Sequence, residues 1–288
     1  MVRQIAVIGT GTMGRGIAYL AATSGFETVL FDADPAALDA ARAWIDSTLR
    51  RAVEKGRMTD QAAADARGRV HLASDLEPAA RGAELIIEAV PESLQLKSDL
   101  FAQADLFCAE ETYLASNTSS ISITKLASNV ERRERFVGLH FFNPPHLMKL
   151  IEIVRGERTS DATVEEMRRL AAKMGKEAIV VRDSPGFATS RLGVAIGLEA
   201  IRMLEEGVAA AEDIDKAMEL GYNHPMGPLR LTDLVGLDVR LGIAESLAST
   251  LGPRFEPPRL LRDLVAEGKL GKKTGRGFYD WGGEGGDR

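Results

Sequence analysis

The sequence predicts an α/β domain followed by a smaller all-helical one, on three observations. In the first two-thirds of the 288 residues, short apolar runs alternate with longer helical patterns, as in parallel βαβ units. After Val181 the strand signals stop. From Pro185 onward helical patterns follow one another, broken at Gly207, Gly221-Tyr222, Pro225, Gly227-Pro228 and Gly252-Pro253. The expected boundary falls near residue 182, giving domains 1–182 and 183–288.

Taken in order, the strand candidates are QIAVIG, ETVLFD, RVHLAS, AELIIEAV, TYLAS, RFVGLH, MKLIEIV and EAIVV. Each is short, apolar and rich in β-branched residues. Helical segments between them include GIAYLAATS, PAALDAARAWIDSTLRRAVEK, SLQLKSDLFAQADLF and TVEEMRRLAAKM, the second of which opens a helical excursion over about 36–67. Beyond the junction, FATSRLGVAIGLEAIRMLEEG reads as one long helix, with Gly193 and Gly197 spaced so that another helix can approach closely. The final GGEGGDR is glycine-rich and is expected to be disordered.

Composition narrows the class. Hydrophobic residues at 45% and charged residues at 27% suit a soluble globular protein with a real core. No apolar run reaches membrane-spanning length. The chain goes straight from Met1-Val2-Arg3-Gln4 into a strand, so no targeting segment is expected. A single cysteine, Cys108, excludes an internal disulfide and points to a reducing, cytoplasmic setting, with an inert thiol near a helix end. A net charge of −6 and a pI near 5.4 argue against general nucleic-acid binding, while leaving room for a local basic patch.

The turn after the first strand carries chemistry. Gly9, Gly11 and Gly14 form GxGxxG between a strand and a helix. The first glycine permits the tight turn, the second lets backbone approach a pyrophosphate, and the third lets helix pack on strand. The helix N-terminus, opened by Thr12 and Met13, offers unpaired N–H groups to phosphates. The second strand ends in Asp32, 18 residues beyond Gly14 (32 − 14), where an acid accepts bonds from a ribose. That is a Rossmann-type dinucleotide site. A carboxylate at Asp32 repels a 2′-phosphate, and Ala33-Asp34 supplies no arginine to welcome one, so NAD is expected rather than NADP. Nothing further suggests a flavin.

His140 ends one apolar run and Glu152 sits inside the next. A nicotinamide enzyme that oxidises an alcohol must take the hydroxyl proton as hydride leaves, and histidine suits this because it titrates near neutrality. A carboxylate on the far ring nitrogen would fix the tautomer and stabilise the imidazolium. The Asn143-Pro144-Pro145 turn can fold the second strand back so that the two meet. Read alone, the residues leave open whether such a pair is chemical or purely structural. His146 is expected to pack at a cleft edge and His224 to sit in an interhelical turn. No HxxxH, HExxH or clustered cysteines appear, so no metal is expected.

HFFNPPHLMKLIEIVRG closely resembles the signature of the L-3-hydroxyacyl-CoA dehydrogenase family. The resemblance extends through GTGTMG, EAVPESLQLK, SNTSS, DSPGF, HPMGPLRLTDLVGLD and GKLGKKTGRGFYDW, in order along nearly the whole chain. It implies that His140 is the acid/base and that Glu152 orients it. It implies that Ser119 hydrogen-bonds the reacting oxygen, although the SNTSS cluster also suits a helix cap. Ala89, Val90, Glu92, Lys97 and Asn117 fall in stretches that line the family's cofactor site, though Lys97 alone would read as part of a solvated helix face. Asn143 falls in a cofactor-proximal turn, where a plain turn asparagine is the alternative. Lys273 resembles a tail lysine that reaches toward the cofactor.

One position departs from the pattern. Where the family presents an asparagine to the substrate carbonyl, this chain has Ser190, a shorter group with no carbonyl acceptor, which Thr189 or water could supplement. The resemblance also places the CoA adenine end against the first helical excursion, making Arg50 and Lys55 candidate phosphate contacts. There Arg51 and Lys55 share a helix face, but a charge run read on its own is a solvated surface. It further implies a helical domain that forms a homodimer and closes the substrate cleft. The expected activity is NAD-dependent interconversion of L-3-hydroxyacyl-CoA and 3-ketoacyl-CoA, with short chains such as 3-hydroxybutyryl-CoA preferred. Ser190 keeps open the related lambda-crystallin type, an L-gulonate dehydrogenase, and a silent NAD-binding protein on the same scaffold is a third reading.

Overall fold

The structure, a computed structural model, describes residues 2–282; the glycine-rich tail from residue 283 onward lies outside that range. The chain divides into two compact units, Met1–Ser184 and Pro185–Arg288.

The first unit alternates strand and helix. In chain order it contains β1 (Gln4–Ile8), α1 (Thr12–Thr23), β2 (Glu27–Phe31), α2 (Pro35–Glu54), α3 (Asp60–Gly68), β3 (Val70–Leu72), α4 (Leu76–Arg81), β4 (Leu85–Glu88), α5 (Leu94–Phe107), β5 (Tyr113–Ser116), α6 (Ile123–Leu126), β6 (Phe136–Phe141), β7 (Leu150–Arg155), α7 (Asp161–Lys173) and β8 (Glu177–Arg182). All eight predicted runs form strands, and they make one sheet ordered β3-β2-β1-β4-β5-β6-β7-β8. The strands from β3 through β6 pair in parallel, β7 runs antiparallel to β6, and β8 is parallel to β7. Parallel strands buried on both faces need continuous apolar sequence, and β4 (LIIE) and β6 (FVGLHF) are buried along their whole length. Ile5, Val7, Ile17, Leu30, Ile87 and Ile153 belong to the core beneath the helices.

Local chemistry sets the helix ends. Asp34 caps α2 by accepting from the Ala36 backbone N–H at 2.9 Å, with Pro35 as first helical residue. Ser160 caps α7 in the same way through Thr163 N–H at 3.2 Å. Cys108, buried, ends α5 as its C-cap. The strand order reverses between β1 and β4, so their carboxyl ends frame the crevice where such sheets bind ligands.

The second unit contains α8 (Thr189–Glu205), α9 (Ala211–Tyr222), α10 (Pro228–Val235), α11 (Leu237–Leu251) and α12 (Arg259–Ala266) around a core that includes Val194, Ile201, Leu229 and Leu247. Two buried aspartates tie it together. Asp215 on α9 accepts from Leu229 and Arg230 N–H at 2.8 and 2.9 Å and from the Tyr279 hydroxyl at 2.7 Å. Asp233 on α10 accepts from Phe278 N–H, Tyr279 N–H and the Trp281 indole at 2.9, 2.9 and 2.8 Å. The close seats explain the glycines of both motifs: a Cβ at Gly227 would lie 2.1 Å from Asp215 Cβ, and one at Gly277 would lie 2.2 Å from Asp233 Oδ1. HPMGPLRLTD and GRGFYDW are thus two halves of one fastening. The room left by Gly193 and Gly197 is taken from within this unit, by Arg240 of α11 and Thr232 of α10. No helix among the described residues is long and apolar enough to cross a membrane.

Candidate active site

The turn from β1 into α1 is built for close approach. Gly9 has φ +91°, and a Cβ there would lie 2.8 Å from the Ala89 carbonyl and from Val90 N. At Gly14 a Cβ would collide with the Gly9 carbonyl oxygen, only 1.8 Å away. Gly11 differs: a Cβ there would meet no protein atom within 4 Å. The fold explains Gly9 and Gly14, whereas Gly11 is exposed and leaves its side of the turn open. Gly11 is also the N-cap of α1 and offers no side-chain acceptor, so the N–H groups over Thr12 and Met13 face that space uncapped.

Asp32, just past β2, accepts at Oδ2 from Thr10 N–H (2.7 Å) and the Thr10 hydroxyl (2.9 Å), and at Oδ1 from Asp34 N–H (3.0 Å). These bonds aim the carboxylate across the glycine turn. The group therefore fits the adenosine half of a dinucleotide, with Gly11 open to the pyrophosphate and Asp32 fixed beside it.

A buried polar network underlies the neighbouring strand ends. Glu88 closes β4 with no exposed surface. Its Oε1 lies 2.5 Å from Lys97 Nζ and accepts Val90 N–H at 2.7 Å, and its Oε2 accepts the Ser116 hydroxyl at 2.6 Å. Lys97 is 1% exposed, so the solvated helix face that its sequence position suggests is not what forms. Its ammonium also reaches the Val90 carbonyl and, at 3.2 Å, Glu92 Oε2. Glu92 in turn accepts from the Thr118 hydroxyl, Ser119 N–H (3.1 Å) and the Ser120 hydroxyl (2.9 Å). Burial pushes the Glu88 carboxyl up despite the lysine. Burial acts the same way on Glu92, but Lys97 and the two hydroxyls outweigh it and hold that carboxyl below its ordinary value.

The network reaches Ser119, whose backbone Glu92 holds while its hydroxyl has no partner among the described residues. Asn117 accepts Phe141 N–H at 2.9 Å through Oδ1, binding this loop to β6 beside His140. The helix after the loop is capped by Ser122, outside SNTSS, which accepts Lys125 N–H. The Thr118 hydroxyl accepts Ser120 and Ile121 N–H within the loop, so the cluster itself caps no helix.

His140 and Glu152 face each other directly in the antiparallel β6–β7 ladder. Nδ1 lies 2.6 Å from Oε2, with the histidine 6% and the glutamate 0% exposed. Direct opposition in a ladder puts side chains on one face, which is why the turn at 143–149 delivers the pair. With a carboxylate acceptor the proton sits on Nδ1, which makes Nε2 the ring's acceptor atom. Phe142 packs on the imidazole at 4.5 Å between centroids. Asn143 is exposed in the turn, whose Pro145 seats against Gly16 of α1. His146 sits edge-on to Tyr19 and Trp44, and burial lowers its pKa.

The remaining expected residues belong to other elements. Arg50 and Lys55 are exposed at the end of α2. In the second unit, Ser190 is the second residue of α8, and Lys273 Nζ is bound 2.6 Å from both carboxylate oxygens of Asp238. Among the described residues no three His, Cys, Asp or Glu could hold a metal. A cavity of about 1000 Å³ lined by Arg133, Arg155 and Arg158 opens beside the amino end of β6, away from this site.

Glu88, Ser116, Thr118 and Thr10 lie inside the quoted motifs, but the sequence assigns none of them a role. Glu88 carries the signal that singled out Glu152, a carboxylate in an apolar strand (LIIE beside LIEIV).

Both units of the chain match known proteins. Residues 4–184 match the NAD binding domain of 3-hydroxyacyl-CoA dehydrogenase, and residues 186–281 match its C-terminal domain. The chain is 44% identical to a probable 3-hydroxybutyryl-CoA dehydrogenase of Bacillus subtilis, over 97% of this chain and 98% of that one. It is 43% identical to a 3-hydroxybutyryl-CoA dehydrogenase of Bradyrhizobium diazoefficiens, over 98% and 96%. The crystal structure of (S)-3-hydroxybutyryl-CoA dehydrogenase from Ralstonia eutropha superimposes with a TM-score of 0.94 at 41% identity, covering 98% and 99%. The chain belongs to the 3-hydroxyacyl-CoA dehydrogenase family.

Proposed function

We propose that this chain is an NAD-dependent L-3-hydroxyacyl-CoA dehydrogenase that interconverts short L-3-hydroxyacyl-CoA and 3-ketoacyl-CoA thioesters, 3-hydroxybutyryl-CoA among them. The observation that carries the reading is the buried His140–Glu152 pair at 2.6 Å. A carboxylate without exposed surface in a strand is costly unless something answers it, and here the answer is an imidazole.

NAD, when bound, accepts hydride from the hydroxyl-bearing carbon. As it leaves, His140 Nε2 takes the hydroxyl proton, and Glu152 stabilises the imidazolium through Nδ1–H. In the reverse direction His140 returns the proton to the carbonyl oxygen. Ser119 donates a hydrogen bond to that oxygen, its backbone held by Glu92. Ser190 is assigned the second polarising contact, in the place where the family's pattern has asparagine. Gly9, Gly11, Thr12, Met13 and Gly14 hold the pyrophosphate, and Asp32 the adenosine ribose. Ala89, Val90, Glu92, Lys97, Asn117 and Asn143 line the remainder of the cofactor path. Lys273 contacts the cofactor by exchanging its bonds to Asp238 for it. Arg50 and Lys55 are available to the CoA phosphates because both are exposed.

The reading gives the first unit to the cofactor and the second to substrate and self-association. Homodimer formation is supported by apolar side chains that the second unit leaves open, Leu192 at 62%, Leu220 at 84% and Val239 at 45% exposure. A cytoplasmic setting is consistent with the single buried thiol.

Ser190 favours one second reading, an L-gulonate dehydrogenase of the lambda-crystallin type. NADH oxidation followed at 340 nm with acetoacetyl-CoA, free acetoacetate and, in the oxidative direction, L-gulonate separates the two. Turnover of the thioester alone supports the acyl-CoA reading. Turnover of L-gulonate, with acetoacetyl-CoA inert, contradicts it. Cofactor binding with none of the three turned over returns the chain to a silent NAD-binding protein.

A further inference from the structure

Arg240, in the first turn of α11, is 5% exposed, and its Nε is buried without a hydrogen-bond partner. It forms no ion pair with any described residue. Burial lowers its pKa to about 10, which leaves it cationic at neutral pH. Only Nε is sealed off from solvent; the two terminal nitrogens are not among the buried unpartnered atoms, so the fork is open to a group from outside the fold. A mostly buried charge without a counter-charge is unfavourable until one arrives.

The direction of the side chain indicates which partner. A Cβ at Gly193 would lie 3.2 Å from Arg240 Nη1, and one at Gly197 would lie 3.9 Å from Nε. The guanidinium therefore runs along α8 toward its amino end. Ser190, Gly193 and Gly197 stand at i, i+3 and i+7, on one face of that helix. Thr232, the other group over Gly197, is committed to the Pro228 carbonyl at 2.8 Å. Two glycines inside a helix are disfavoured, and the one at Gly193 is explained by the arginine lying over it.

We infer that Arg240 receives the terminal carboxylate of the acyl group, making this chain selective for short dicarboxylic 3-hydroxyacyl thioesters. The inference rests on the dehydrogenase reading, in which the Ser190 face of α8 holds the reacting carbonyl. Gly193 is about one helical turn from Ser190, roughly 5 Å along the axis, a distance that a short methylene chain covers. The planar fork of arginine matches a carboxylate with two parallel hydrogen bonds.

The test compares kcat/KM for L-3-hydroxyadipyl-CoA with that for L-3-hydroxyhexanoyl-CoA, which has the same chain length and no terminal charge. Wild type is expected to favour the carboxylate, and Arg240→Met to lower the ratio by roughly ten- to a hundred-fold. Arg240→Lys, which keeps charge without the fork, should lower it less. Because both rates come from one preparation, a partly folded variant does not disturb the ratio. A wild-type preference for the hexanoyl thioester, or a ratio unchanged in Arg240→Met, overturns the inference. If the ratio is unchanged while Arg240→Met lowers the oligomeric state in sedimentation, the carboxylate comes from a second copy of the chain, which also overturns it. No turnover of either thioester overturns the dehydrogenase reading itself and takes this inference with it.

Discussion

Lys97 Nζ lies 2.5 Å from Glu88 Oε1, and neither side chain has more than 2% of its surface exposed. This ion pair, between the end of β4 and the first turn of α5, underpins the loop that carries Ser119. Removing one partner of a buried pair costs about 3–5 kcal/mol because the other charge is stranded. Lys97→Met is therefore expected to lose that much in urea unfolding, while Lys97→Met with Glu88→Gln loses clearly less than the single variant. Additive losses in the double variant would contradict the pairing.

Glu92 predicts a pH dependence. Its folded carboxyl lies below its ordinary value, against burial and in favour of Lys97, Thr118 and Ser120. A depressed acid stabilises the fold above its unfolded pKa and loses that contribution as pH falls through the folded one. The stability advantage of wild type over Glu92→Gln should be full at pH 6 and shrink below about pH 4.3, the ordinary glutamate value. Melting temperatures of the two proteins across that range check it, and an advantage that grows toward low pH would reverse the sign argument.

Two of the three glycines of the first turn should separate fold from ligand. Gly14→Ala drives a methyl into the Gly9 carbonyl, at an expected loss of about 1–3 kcal/mol. Gly11→Ala meets nothing in the protein and should change stability by no more than about 0.5 kcal/mol, yet weaken NADH binding at least roughly ten-fold, a loss of about 1.4 kcal/mol. Thermal melts and a fluorescence titration with NADH distinguish the two. Unchanged NADH affinity in Gly11→Ala would mean that the open space is not the pyrophosphate site.

Much of this was legible in the sequence because local rules decide it. Continuous apolar runs marked all eight strands, and the glycine spacing with Asp32 marked the crevice. Glu152 was conspicuous because an apolar strand has no local use for a carboxylate. What stayed hidden depends on partners far along the chain. Lys97 reads as surface until Glu88 is placed beneath it, nine residues away. Asp215 and Asp233 read as ordinary helix acids until the tail, up to 64 residues later, folds onto them. Helices α4 and α6 are only six and four residues long, too short for a periodic signal. Arg240 gave no sign at all, because its lack of a counter-charge exists only in three dimensions.

The most direct test of the central claim is a double-mutant cycle on His140 and Glu152 with NADH and acetoacetyl-CoA. If His140 moves the proton and Glu152 acts through it, His140→Gln should lower kcat by about 10²–10⁴-fold. Glu152→Gln should lower it substantially, and the double variant should fall little below His140→Gln alone. NADH affinity should stay within a few-fold throughout. A Glu152→Gln enzyme with wild-type kcat, or losses that multiply in the double variant, would contradict the account.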